Sequence, residues 1–215
     1  MKTKLISSII VLSVVISACG FWGVRGNGRI KHEDRTISEF EKLDAGGAFT
    51  IKIKVGEAPS LKISAEENLL SYIRTSVKGN RLVIDTRKSI SPRKEILIEI
   101  TTPHLTDVDV SGANNVTVNG VSTSDFSVDL SGAGHVYLEG EVEKLSAELS
   151  GAGNIDAKDL KAKDVHISVS GAASADVYAK ENLDASVSGV GSIDYYGDPA
   201  NTKTNVSGVG SISRK

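Results

Sequence analysis

From about residue 106 to residue 213 the chain alternates apolar and polar positions in short runs that return at a near-constant interval. Phe126-Ser-Val128-Asp-Leu130, Leu145-Ser-Ala147-Glu-Leu149, Val165-His-Ile167-Ser-Val169 and Leu183-Asp-Ala185-Ser-Val187 each put every second side chain on one face. That is the period of a half-buried strand. Each run ends in Ser-Gly, at Ser111-Gly112, Ser131-Gly132, Ser150-Gly151, Ser170-Gly171, Ser188-Gly189 and Ser207-Gly208. The gaps between these serines are 20, 19, 20, 18 and 19 residues. A second short run follows each corner, as in His135–Leu138, Asn154–Ala157 and Ser192–Tyr195.

A fixed period of this length marks stacked units, none of which can bury its apolar face alone. Stacking would build two inward columns, Val110, Leu130, Leu149, Val169, Val187, Val206 and Val116, Val136, Ile155, Ala175, Ile193, Ile212. The corner glycines then serve either a positive φ or a close backbone approach. The expected fold is all-β: a single-stranded parallel β-helix, or β-solenoid. Right-handed winding follows from the crossover rule, and gaps of 18 to 20 argue against the strict six-residue sub-period of a left-handed helix.

The stretch from Thr36 to Thr102 is less regular but still rich in strands: Phe49–Val55, Leu61–Ser64, Arg81–Ile84 and Ile96–Ile100. Leu43-Asp44-Ala45-Gly46-Gly47 echoes Val108-Asp109-Val110-Ser111-Gly112, so the same scaffold is expected to begin here in degenerate form, with coils 36–105 preceding the regular repeats 106–213. Residues 66–73 suit a helical turn or two. Thr86 to Glu95, with Arg87, Lys88, Pro92, Arg93 and Lys94, reads as an exposed basic loop, either a solvated hairpin tip or a contact for anionic lipid or glycan.

The first residues change the picture of where the protein works. Lys2 and Lys4 precede an apolar run from Leu5 to Ile16, too short for a spanning helix and shaped like an export signal. Ile16-Ser17-Ala18-Cys19 resembles a bacterial lipobox, and Cys19 is the chain's one cysteine, so no internal disulfide can form. The organisation expected is a signal peptide over 1–18, a lipidated Cys19 with a flexible tether over 19–35, and the β-domain over 36–215. The resemblance to lipoproteins implies a membrane partner through the lipid. No aspartate follows Cys19, which implies an outer-membrane lipoprotein, and an acidic surface-export stretch is missing after it, which favours the periplasmic face. The chain has 25 Lys and Arg against 27 Asp and Glu; loss of Lys2 and Lys4 takes its net charge from −2 to −4. A mildly acidic chain of this kind is not expected to bind nucleic acid.

Candidate chemistry is sparse. Stacking would place Asp156, Asp176 and Asp194 in one outward column about 5 Å apart. Such a column is a candidate binding site that could hold a divalent cation or supply paired carboxylates for glycoside cleavage. Asp109, Asp129 and Glu148 form a similar column, which makes neither special. His32, His104, His135 and His166 lack metal-ligand spacing, and no serine sits in a Gly-x-Ser-x-Gly elbow. No cofactor, metal site or catalytic residue is expected. The last repeat stops at two strands, so an edge beside Val206 and Ile212 is expected to support self-association or a partner strand.

Taken in order, the lipobox, Phe40-x-x-Leu43, Ile51-x-Ile53-x-Val55-Gly56, Asn68-Leu69-Leu70, Gly79-Asn80-Arg81-Leu82-Val83-Ile84, Thr102-Pro103-His104-Leu105 and the Ser-Gly-Ala repeats resemble one family. It is the putative auto-transporter adhesin family with a head GIN domain, common among Bacteroidetes lipoproteins. The resemblance spans about residues 36–213 and implies a secreted β-rich fold and an adhesin-like role, with no catalytic residues to carry over. The expected function is a non-enzymatic envelope lipoprotein presenting a flat face to a protein or glycan. A polysaccharide-active enzyme using the Asp156 column is the alternative.

Overall fold

The computed structural model describes residues 23–215, so the export signal and Cys19 lie outside the described residues. The strands run in order β1 (Val24–Arg25), β2 (Ile30–Arg35), β3 (Lys42–Gly47), β4 (Thr50–Val55), β5 (Ser60–Glu66), β6 (Ile73–Lys78), β7 (Arg81–Thr86) and β8 (Ile90–Ser91). They continue as β9 (Leu97–Thr102), β10 (Asp107–Gly112), β11 (Asn115–Gly171), β12 (Ser174–Gly189), β13 (Ser192–Tyr196), β14 (Asn201–Gly208) and β15 (Ser211–Arg214). A 3-10 turn at Leu70–Tyr72 falls within the stretch expected to be helical. The segment read as a tether, 19–35, includes β1 and β2.

The expectation of a single-stranded parallel β-helix, right-handed or otherwise, is corrected. The fold is all-β, but its main sheet is one curled, mixed sheet of 13 strands. β2 pairs antiparallel with β5, β5 antiparallel with β9, and β6 antiparallel with β7. The remaining pairings of that sheet are parallel, and β1 with β8 makes a separate two-stranded parallel sheet. Apolar-polar alternation has the same period in both kinds of strand, so it does not report strand direction. The turn at Gly79, with φ +62°, closes a tight hairpin between β6 and β7 and reverses the chain.

Within the parallel part, each segment lies beside the one about a repeat away. Val110 pairs with Leu130, Val169 with Val187 and Val187 with Val206; Ile155, Ala175, Ile193 and Ile212 align across four segments. Leu43–Gly47 lies beside Val108–Gly112 in the register their sequence echo implies. These columns are buried along most of their length, although Val206, the last of its column, is 44 % exposed. Branched side chains stacked on their own kind supply the core that a single segment could not.

Asn114 interrupts the pattern. It stands where later corners have Gly134, Gly153 and Ala173, and it is fully buried. Its Oδ1 accepts from the Phe49 backbone N–H at 2.8 Å, and its Nδ2 donates to the Ser111 carbonyl at 2.7 Å. A buried amide is tolerable only when satisfied in this way. Here it joins the β3–β4 corner to the first Ser-Gly corner.

Candidate functional site

The outward face of β11, β12 and β13 carries the candidate column. Asp156 lies beside Asp176, and Asp176 beside Asp194, in parallel register. Asp156 occupies the polar position between buried Ile155 and Ala157, Asp176 that between buried Ala175 and Val177, and Asp194 that between buried Ile193 and partly buried Tyr195. The inward pull of those apolar neighbours is what aims the three carboxylates outward.

The three acids have different surroundings. Lys158 Nζ donates to Asp156 Oδ2 at 2.6 Å, and Lys215 Nζ sits 3.2 Å from Asp194 Oδ2. Asp156 Oδ1 is buried and has no hydrogen-bond partner among the described residues. Asp176, in the middle, has its pKa raised, first by desolvation and then by the charges of Asp156 and Asp194, which Lys158 and the Tyr196 hydroxyl partly offset. The Lys158 ammonium is held in its charged form chiefly by the hydrogen bond to Asp156.

Beside the acids run rows that the sequence reading did not single out. Tyr178 pairs with Tyr196, both half-buried, and Lys161 Nζ lies 4.0 Å from the centroid of the Tyr178 ring. A register shift between Ala157 and Lys161 brings Lys161 opposite Tyr178. Tyr137 donates through its hydroxyl to Asp159 Oδ2 at 3.1 Å. On the other flank Asn154, Ser174, Ser192 and Ser211 align, and Ser174 Oγ donates to Asn154 Oδ1 at 2.9 Å. The signal was present in the sequence: Asp176-Val-Tyr178 and Asp194-Tyr-Tyr196 share one spacing, which puts acid and ring on the same face.

The second acidic row is also present, and it is longer than expected. Asp44 aligns with Asp109 and Asp109 with Asp129. Desolvation, then Asp44, raises the Asp109 pKa; desolvation, then Glu148 and Asp109, raises that of Asp129. Neither row converges into a cage: among the described residues no group of three or more His, Cys, Asp or Glu side chains could hold a metal ion. A ladder spreads its carboxylates along a line, whereas a cation needs ligands on several sides.

At the antiparallel end, a groove of about 710 Å³ lies over β2, β5, β9 and β4. Its floor is an alternating row, Asp34 beside Lys62, Lys62 beside Glu99 and Glu99 beside Lys52. The row neutralises itself across the strands, so it selects no strongly charged ligand.

A family model described as "Putative auto-transporter adhesin, head GIN domain" matches residues 39–199. The chain belongs to this family. Among solved structures it is similar to a putative adhesin from Bacteroides fragilis NCTC 9343, with 29% identity and a TM-score of 0.73, covering 90% of this chain and 100% of that one. It is also similar in fold to putative adhesins from Parabacteroides merdae ATCC 43184 (20% identity, TM-score 0.50, 90% and 99% covered) and Parabacteroides distasonis ATCC 8503 (19%, 0.50, 90% and 100%). Coverage of 90% reaches well beyond the Ser-Gly segment, so the whole mixed sheet, not a repeat alone, is the shared fold. No protein of curated function matches this chain. Among the described residues, no helix is long and apolar enough to cross a membrane.

Proposed function

We propose that this member of the adhesin family is a non-enzymatic envelope lipoprotein. In this reading Cys19 carries lipid and anchors the chain to the outer membrane, facing the periplasm. The outward face around Asp156, Asp176 and Asp194 holds a glycan or protein ligand. The observation that carries the reading is the register of the face itself: carboxylates, tyrosine rings and amide or hydroxyl groups run in adjacent rows over several strands. Sugar hydroxyls need acceptors and donors at close intervals, and sugar rings stack on aromatic side chains. Lys158 and Lys215 neutralise the outer two acids, which suits them as hydrogen-bond acceptors.

Glycan-array binding by the mature domain tests this. Asp176→Asn and Tyr178→Ala are each expected to weaken the strongest signal about tenfold or more, the size of one charged hydrogen bond or one stacked ring. Unchanged binding by both variants would reject the face. A second reading, glycan cleavage by the same column, draws on the raised Asp176 pKa, which would suit a general acid. Release of reducing ends by wild type, lost in Asp176→Asn, would favour it. For the anchor, Cys19→Ser is expected to move the protein from the detergent phase to the aqueous phase, because lipid chains supply the affinity. Equal partitioning of the two would remove the lipoprotein reading.

A further inference from the structure

The first described residues are held rather than free. β1 lies parallel to β8, with Arg25 beside Ser91. Asn68 accepts from the Asn27 N–H at 2.9 Å through Oδ1 and donates to the Arg25 carbonyl at 2.8 Å through Nδ2. The Glu66 carboxylate accepts from the N–H groups of both Gly28 and Arg93. Through these contacts Arg25 and Arg29 come to lie alongside the loop that carries Arg87, Lys88, Arg93 and Lys94.

All six cations are exposed. Arg29 meets Glu67 at 3.3 Å, while the other five have no ion pair among the described residues. Of the acids nearby in the chain, Glu66 is fully buried, Glu67 pairs with Arg29 and Glu95 is exposed, so six cations stand against these three carboxylates. A chain of net charge −2 thus concentrates positive charge beside its own N-terminal segment.

We propose that this basic end lies on the anionic phospholipid headgroups of the membrane that holds Cys19. The inference rests on the lipid-anchor reading. From Cys19 to Val24 the chain can reach at most about 18 Å, so β1 and the 87–94 loop stay within about two Debye lengths of the surface at physiological salt. Within one Debye length of the surface a juxtamembrane Lys or Arg adds about fivefold to membrane partitioning, and a tether this short lets the basic end lie that close. Trp22, inside the same short stretch, is of a type that favours the headgroup level. β7 and β9, which flank the basic loop in sequence, stand at the beginning of the parallel ladder, and β14 and β15 at its other end. Docking by the basic end therefore holds the Asp156–Asp194 rows, near the far end of the ladder, at a distance from the bilayer.

The test uses the full mature chain with Cys19→Ser, sedimented with vesicles of phosphatidylglycerol and phosphatidylcholine or of phosphatidylcholine alone. Binding is expected only to the anionic vesicles, falling steeply as salt rises above about 0.15 M. Lys88→Ala with Lys94→Ala should weaken it about 25-fold, fivefold per charge. Lys144→Ala with Lys203→Ala, exposed and distant in the ladder, should leave it unchanged. Equal binding to neutral vesicles, no binding to anionic ones at low salt, or equal losses from the two double variants would each overturn the proposal. Retention on an anionic polysaccharide without vesicle binding would overturn it as well. The assay omits the lipid, so its failure is distinct from a failure of the anchor, which the detergent partition reads.

Discussion

Gly132→Val is expected to cost about 4 kcal/mol or more, a fall of roughly 8–16 °C in Tm for a chain of this size. Gly132 has φ +146° and sits in a column of corner glycines that runs from Gly47 through Gly112, Gly151, Gly171 and Gly189 to Gly208. A Cβ built at Gly132 would run into the Gly112 carbonyl oxygen and lie 2.9 Å from the Gly112 nitrogen. The obstruction is backbone of the adjacent strand, which cannot rotate away as a side chain can. Valine adds branching at a φ that branched residues avoid. Gly151→Val meets the Gly132 carbonyl in the same way and should behave alike. Ser168→Val, at an outward strand position beside Ser186, is the control and should shift stability by less than about 1 kcal/mol. Thermal melts that show equal losses at corner and strand would refute the close approach of these corners.

The glycine column was legible because a requirement repeated at every level leaves a mark at every level. The interval of about 19 residues between Ser-Gly pairs carries the register, and the pairings of Val110 with Leu130 and Asp156 with Asp176 follow it. The reach of that pattern was overestimated. Extending one parallel winding back to residue 36 leaned on alternation in Leu61–Ser64 and Arg81–Ile84, and alternation is blind to strand direction. β5 runs antiparallel to β2 and β9, and β6 to β7. The Gly79-Asn80 pair ahead of Arg81 was the available hairpin signal, since a glycine beside an asparagine favours a tight reversal.

At the candidate face, position was legible and environment was not. Spacing alone aligned Asp156, Asp176 and Asp194, yet it could not distinguish the middle acid, desolvated and flanked by charge, from its lysine-paired neighbours. The irregular step at Lys158 was hidden as well, and with it the meeting of Lys161 and Tyr178, because a register shift is a property of two strands together. Buried polar residues that break or precede the repeat pattern were the least visible. Asn114 and Glu66 look ordinary in the sequence, and only their surroundings show that the backbone depends on them.

Glu66→Gln is expected to destabilise the protein by about 2–3 kcal/mol at neutral pH, and to do so less as the solution is acidified. The Glu66 side chain is fully buried at the end of β5, against the backbone of Gly26. Its carboxylate accepts from Gly28 N at 2.5 Å and Arg93 N at 2.8 Å, with Lys94 N more distant at 3.4 Å. Desolvation alone would raise its pKa; the Arg93, Gly28 and Lys94 N–H groups and the Arg93 charge together lower it below the ordinary glutamate value. A carboxylate whose pKa is lower folded than unfolded stabilises the fold in full above its unfolded pKa. That contribution is lost as pH falls through the folded pKa. Below that point Glu66 is itself neutral and nearly isosteric with glutamine, so the gap between wild type and variant should close. Taking the difference between the two proteins cancels the opposite trend from Asp109, Asp129 and Asp176, whose raised pKa values favour folding as acid neutralises them. At neutral pH the glutamine amide turns a donor toward backbone N–H groups and frees at least one of them. Hydrogen exchange should therefore quicken at Gly28 and Arg93 before it does in the β11–β12 core. Denaturant melts from pH 7 down to acid that show a constant gap would mean that the ionised carboxylate is not what fastens the N-terminal segment to the loop.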